Sequence, residues 1–131
     1  MAREQIVSGR VGRPSGHFSQ AIVTEARGRL AFISGMTAKR ADGSIVGVGN
    51  IEAQTEQVCE NIKAAVEAAG GTMADICRVD VYVRSMRDFD VIHKVRRTYF
   101  PDPPPASTMV EVSGFTHPDY LIEMNAIAVL P

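Results

Sequence analysis

One carboxylate in this sequence stands out by the company it keeps. Glu123 lies in the run Leu121 to Leu130, where Ile122, Met124, Ala126, Ala128 and Leu130 alternate onto a wholly apolar face. The opposite face carries Leu121, Glu123, Asn125, Ile127 and Val129, so the run reads as a strand buried on both sides. A carboxylate in such surroundings is costly unless it is paired, hydrogen-bonded or held protonated. That makes Glu123 the first candidate for handling a proton in a reaction; an ion pair or hydrogen bond between subunits is the competing reading, and the residues leave both open. Ser34, in the triplet Ile33-Ser34-Gly35 at a strand end, has a hydroxyl that a ligand could use, although a strand-terminal serine bonded to its own backbone is the plainer reading. His17, His93 and His117 have no metal-ligand spacing, and Cys59 and Cys77 form no CxxC. Gly47-Val48-Gly49 lacks the third glycine and the strand-to-helix setting of a dinucleotide loop, and no G-x-S-x-G elbow occurs.

The elements that must position these residues follow from periodicity. Ser8 to Gly16 is rich in Gly, Ser and Arg and reads as an irregular arm. Strands are expected at Phe18 to Thr24 and Arg29 to Gly35, with a short hairpin-like element through Ser44 to Val48 after the Asp42-Gly43 turn. From Ile51 the spacing changes to threes and fours (Thr55, Val58, Ile62, Ala65, Val66, Ala69), which predicts a helix capped by Asn50 and stopped at Gly70-Gly71. A strand follows at Cys77 to Val83. A second helix runs from about Arg87 to Phe100 on the stripe Phe89, Ile92, Val95 and Tyr99, and Pro101 ends it. The basic residues around it, Arg84, Arg87, Lys94, Arg96 and Arg97, read as a solvated helix face, with a binding patch as the alternative. The Pro-rich hinge Pro101 to Pro105 then leads to two strands, Thr108 to Val112 and Leu121 to Leu130.

The order β-β-(β)-α-β-α-β-β predicts a single domain over residues 1–131, an α+β sandwich with two helices on one face of one mixed sheet. The other face would then be apolar and uncovered, and a symmetric homo-oligomer would bury it. With 131 residues, 45% hydrophobic and 22% charged, the chain can build a core of its own. A net charge of −1 gives no general attraction to nucleic acid or anionic membrane. The cysteines read as small buried thiols, and the first residues, MAREQIVSGR, have no apolar leader segment; a soluble protein of the reducing cytoplasm is expected.

A set of motifs, in order, resembles a known family. Ile33-Ser34-Gly35, Val66-Glu67-Ala68-Ala69-Gly70, Val81-Tyr82-Val83 with Asp88-Phe89, and Tyr99-Phe100 come first. Pro105-Ala106-Ser107-Thr108-Met109-Val110-Glu111-Val112 and Ile122-Glu123-Met124-Asn125-Ala126-Ile127-Ala128-Val129 complete it. Over nearly its whole length the chain resembles the Rid family, also called YjgF-like and often labelled endoribonuclease L-PSP. The resemblance implies a chorismate-mutase-like fold assembled as a homotrimer, with three ligand clefts between subunits. It implies hydrolysis of 2-imino acids or their enamine tautomers to keto acids and ammonia, with no metal and no organic cofactor. Glu123 would orient or deprotonate the attacking water, and Ser34 and Gly35 would form part of the cleft.

The departures bear on the substrate. Deaminating members carry an arginine directly after this Pro-Ala, where it clamps the substrate carboxylate; Ser107 stands there in this chain. An aromatic hydroxyl near the N-terminal motif is replaced by Phe18, and an asparagine of the second helix by His93. Met109 follows Ser107 and Thr108 where a cysteine or small residue is common. By resemblance, Phe18, His93, Ser107 and Thr108 line a cleft that is less anion-binding and more apolar than usual, and an arginine restored at position 107 would raise activity on small 2-imino carboxylates. Arg10 or Arg13 could bring the missing charge from the arm. Three readings therefore stand: a hydrolase of an imine or enamine, a trimeric protein that binds a small metabolite without catalysis, and, least supported by the weak charge, a ribonuclease.

Overall fold

The chain is described by a computed structural model covering residues 3–131. Its strands and helices are β1 (Arg3–Ile6), β2 (Ala21–Thr24), β3 (Leu30–Met36), α1 (Ile51–Ala68), β4 (Ile76–Val83), α2 (Phe89–Tyr99), β5 (Ala106–Glu111) and β6 (Ile122–Val129). Four strands form a mixed sheet in the order β3-β6-β4-β5, in which only β4 and β5 run parallel. The parallel pair is bridged by α2, as a parallel connection requires. Both helices pack on one face. Val58, Ile62 and Val66 of α1 meet Met124, Ala126 and Ala128 of β6 and Val79 and Val81 of β4, all fully or almost fully buried.

Helix α1 begins where Asn50 accepts a hydrogen bond from the Ala53 amide at 3.0 Å, and it ends at Ala68, with Ala69 as its cap and Gly70 at positive φ just beyond. One polar group inside this core has a positioning role. Gln54, fully buried, donates to the Asp119 carbonyl and accepts from the Leu121 amide, each at 2.8 Å. It thereby fixes the start of β6, two residues before Glu123.

Three expectations are corrected. The first strand is shorter than Phe18 to Thr24 and does not join the main sheet. Ala21–Thr24 pairs with Arg3–Ile6, a strand not anticipated, in a separate two-stranded sheet. This hairpin is tied to the far edge of the main sheet. Arg3 donates to the Ile76 and Pro103 carbonyls, Ser19 hydroxyl donates to the Pro104 carbonyl, and Ser19 bridges Ala106. Ser44 to Val48 forms no strand, only an isolated bridge between Lys39 and Ile45. Gly43, Gly47 and Gly49 all take positive φ, so the segment turns three times in seven residues; a β-carbon on Gly47 would also fall 2.7 Å from that of Ala53.

The third correction concerns the outer face of the sheet. It is exposed, as expected, but not wholly apolar. Phe32 (73% exposed), Leu30 and Val110 lie beside a polar row in which Arg78 pairs with Asp80 at 2.7 Å and Asn125 donates to Asp80 at 3.2 Å. Glu123 belongs to this half-buried side of β6, so the strand is buried on one face only within the chain. Among the described residues no helix is long and apolar enough to cross a membrane. Cys59 is buried, and burial pushes its thiol up to about 12; Cys77, expected to be buried, is partly exposed.

Candidate functional site

Glu123 sits opposite Tyr82 on β4, beside the one irregularity of the β3–β6 ladder. Ile33 pairs with Ala126 and Met36 with Met124, so β3 has one residue more than β6 over this stretch and bulges at Ser34-Gly35. The bulge brings Gly35 against the carboxylate: a β-carbon on Gly35 would lie 2.0 Å from Glu123 Oε2. The absence of a side chain there is what lets the carboxylate occupy its position. Gly35, Tyr82, Phe115, Thr116, Glu123 and Asn125 line a cleft of about 490 Å³. A second hollow on the other flank of Glu123 is bordered by Lys39 and Arg40. Among the described residues nothing donates a hydrogen bond to the Glu123 carboxylate and no cation pairs with it.

Ser34 is not turned toward that cleft. It borders a different groove, along the open edge of β3, with Leu30, Ile33, Ala65 and Ala69.

Phe18, His93, Ser107 and Thr108 do come together, in a cavity of about 290 Å³ that shares no lining residue with the Glu123 cleft. Ser15, Phe89, Met109 and Arg96 complete its walls among the described residues. The arm passes over His93 at Gly16, and His93 Nδ1 lies 2.9 Å from the Phe89 carbonyl. Burial lowers the His93 pKa; the Phe89 bond opposes this, while Arg96, Arg97 and His17 add to it. The ring is therefore neutral at pH 7 and donates from Nδ1. Thr108 accepts a hydrogen bond from Arg78 Nη2 at 2.7 Å. Arg10 and Arg13 lie on the exposed arm and do not line the cavity.

The residue that the sequence reading missed is Arg96. It was grouped with a solvated helix face, yet it is 1% exposed. Its Nη2 donates to the Ser107 hydroxyl at 3.0 Å, its guanidinium lies 5.9 Å from the Phe100 ring centre, and its Nε has no acceptor among the described residues. No carboxylate among the described residues pairs with it. Burial draws its pKa down to about 10, which leaves it charged at pH 7. Holding a cation there costs on the order of 3 kcal/mol. The signal was present in the spacing: Phe89, Ile92, Arg96 and Tyr99 recur at three and four residues, so Arg96 shares the apolar stripe. Tyr82, Phe115, Thr116 and Asn125 were not singled out either, because they come from three separated segments that only the fold joins.

Comparison with known proteins follows the same lines. The profile of the endoribonuclease L-PSP family matches residues 10–130. A RutC family protein of Pyrococcus abyssi is 38% identical over 128 residues, covering 98% of this chain and 98% of its own. One from Pyrococcus horikoshii is 40% identical over 126 residues, covering 96% and 97%. Among solved structures, YyfB of Yersinia pestis, described as a protein of unknown function of the conserved Rid family, superposes with a TM-score of 0.90 at 33% identity over 99% of this chain and 100% of that one. A putative endoribonuclease of Thermotoga maritima, also 33% identical, covers 98% of each chain with a TM-score of 0.73.

Proposed function

This chain belongs to the endoribonuclease L-PSP family, together with the RutC and Rid proteins, and from that premise we propose that it is a cofactor-independent hydrolase that deaminates an imine or enamine metabolite. The observation that carries the proposal is the Glu123 carboxylate, seated over Gly35 at the wall of a cleft with no partner among the described residues. An imine carbon is already electrophilic, so a positioned water and a place for its proton suffice for hydrolysis.

Glu123 holds the water and accepts one of its protons as the new C–O bond forms. The C=N π pair moves onto nitrogen, which takes up a proton, and a carbinolamine results. Its hydroxyl proton is then passed to the amine nitrogen, C=O forms, the C–N bond breaks, and nitrogen leaves as ammonia. One water is consumed, one ammonia and one keto compound are released, and nothing is oxidised or reduced. An enamine enters the same path through its imine tautomer.

The partner in this reading is a second copy of the chain. The Glu123 cleft and the cavity holding Phe18, His93, Ser107 and Thr108 are separate within one chain, and a homotrimer would set one against the other across each interface. Exposed Phe32, Leu30 and Val110 on the outer face favour such an assembly. A second reading, a non-catalytic binder of a small metabolite, is favoured by Ser107, a neutral residue where deaminating relatives carry an arginine.

The test generates 2-iminobutanoate in situ and follows release of the keto acid and ammonia with and without the protein. Catalysed hydrolysis that falls at least about a hundredfold in Glu123→Gln, with assembly unchanged by light scattering, is the expected result. If Glu123→Gln hydrolyses at the wild-type rate, or disassembles without loss of intrinsic rate, the carboxylate has a structural role and the binding reading takes over.

A further inference from the structure

We infer that Arg96 is the anion anchor of this protein: its guanidinium, buried at the floor of the cavity beside Ser107, receives the carboxylate of a small organic monocarboxylate. The link to catalysis, with that carboxylate belonging to the imine substrate, rests on the hydrolase reading above; the anion site itself does not.

Two features of the molecule meet here. Arg96 is a fully buried cation with no acidic partner among the described residues, and its Nε–H is orphaned. Buried guanidinium groups are ordinarily paired, because an unpaired charge in an apolar setting is among the most unfavourable features a core can hold. The same side chain also lines an enclosed hollow of about 290 Å³, to which Ser107 adds a hydroxyl already engaged by Arg96 Nη2. An anion entering this hollow would neutralise the buried charge and take the hydroxyl and guanidinium donors together. Ser107 thus does not simply lack a cation: it presents to the hollow the cation that stands behind it.

The walls define what that anion carries. Phe18, Phe89 and Met109 are apolar, Ser15 and Thr108 add neutral hydroxyl residues, and His93 donates its ring proton to Phe89 and adds no charge. Among the described residues Arg96 is the only cation lining the hollow. One positive charge in an apolar enclosure suits a single negative charge on a short hydrocarbon body. A phosphate dianion would remain half neutralised.

The test is equilibrium binding on the intact protein, by calorimetry or ligand-observed NMR. Sodium 2-oxobutanoate, butanone as its neutral counterpart, and inorganic phosphate are the probes. The expected result is 2-oxobutanoate binding that weakens at least tenfold in Arg96→Gln but less than twofold in Arg97→Gln, which removes the same charge from the exposed face of the same helix. Butanone should bind equally to all three proteins, and phosphate more weakly than 2-oxobutanoate. In the wild-type protein the Arg96 Nε–H resonance, assigned by its absence in Arg96→Lys, should shift with 2-oxobutanoate and not with butanone. That readout does not depend on Arg96→Gln folding. Equal affinity in wild type and Arg96→Gln, equal losses in the two glutamine variants, or an unmoved Nε–H resonance at saturation would overturn the anchor. Phosphate binding as tightly as 2-oxobutanoate would overturn the monocarboxylate assignment. Binding through Arg96 with no hydrolysis of any imine would sink the hydrolase reading alone; hydrolysis with no dependence of binding on Arg96 would sink the anchor alone.

Discussion

The two faces of β5 treat an arginine in opposite ways. On the outer face Arg78 donates to the Thr108 hydroxyl and lies 2.7 Å from Asp80, with its own side chain 39% exposed. On the inner face Arg96 donates to the hydroxyl of the preceding residue, Ser107, is 1% exposed and has no carboxylate partner among the described residues. The contact is the same and the electrostatics are inverted. A half-exposed arginine with a carboxylate contributes little to stability either way. A buried one with no carboxylate opposes folding, and a chain keeps it where something outside the fold repays the penalty. Glu123, likewise without a charged partner among the described residues, stands at the other cleft.

The contrast is most severely strained by Ser107→Arg. Because Ser107 faces Arg96, this substitution sets two guanidinium groups against each other in an apolar enclosure. We expect a loss of about 3 kcal/mol, read as a fall of about 10 °C in Tm by calorimetry. The restored activity that the resemblance alone implies is therefore not expected from the single change. The double variant Arg96→Met/Ser107→Arg, which moves the cation instead of doubling it, should recover most of the loss. Wild-type stability in Ser107→Arg would show that the inner face tolerates charge freely.

Smaller and of opposite sign is the effect of deleting each arginine. Arg96→Met keeps much of the side-chain bulk and removes the buried charge, and should raise Tm by about 5 °C while abolishing 2-oxobutanoate binding. Arg78→Met should shift Tm by no more than about 2 °C in either direction. A destabilised Arg96→Met would make that residue a structural support like its counterpart.

Much of the fold was legible because alternation and helical spacing report burial directly. That is how the two helices and the strands β4 to β6 could be placed, and why Glu123 was conspicuous. What failed had local causes. Arg3–Ile6 is a four-residue strand of largely exposed polar residues, with no apolar face to betray it. Ser44 to Val48 alternates acceptably but contains Gly47 and is flanked by Gly43 and Gly49, all three at positive φ. Arg78 and Asp80 alternate with Val79 and Val81 in the sequence, yet the apolar half of that pattern was followed outward as well as inward. Arg96 was assigned by its charge when its spacing said otherwise. The two clefts themselves join segments far apart in the chain, and no local pattern encodes that meeting.

The smallest expected effect concerns His93, which shares the cavity with Arg96. Burial lowers its pKa below the usual 6.5, so the unfolded chain takes up a proton at a higher pH than the folded one. The stability linked to this ring is complete above 6.5 and is lost as pH falls through that value toward the folded-state pKa. His93→Asn should flatten that part of the acid-side decline in urea midpoint between pH 7.5 and pH 5, by at most one proton's worth of slope. An unchanged slope would mean that His93 is protonated as readily folded as unfolded, and the neutral wall of the cavity would have to be given up.

The bulge at Ser34-Gly35 has a consequence beyond making room for a carboxylate. A strand is a binary counter: each residue added or removed exchanges inside for outside for everything that follows. Ile33 and Met36 are separated by an odd number of steps, yet both face the core, because the extra residue between them resets the count. Deleting either Ser34 or Gly35 would leave Ile33 and Met36 two steps apart, the regular spacing of two residues on one face, so the core pairing with β6 would survive while the bulge that carries Gly35 against Glu123 would be lost. The extra residue therefore serves the cleft and not the core, and a one-residue gap here would flatten the strand at the carboxylate and leave its packing in register.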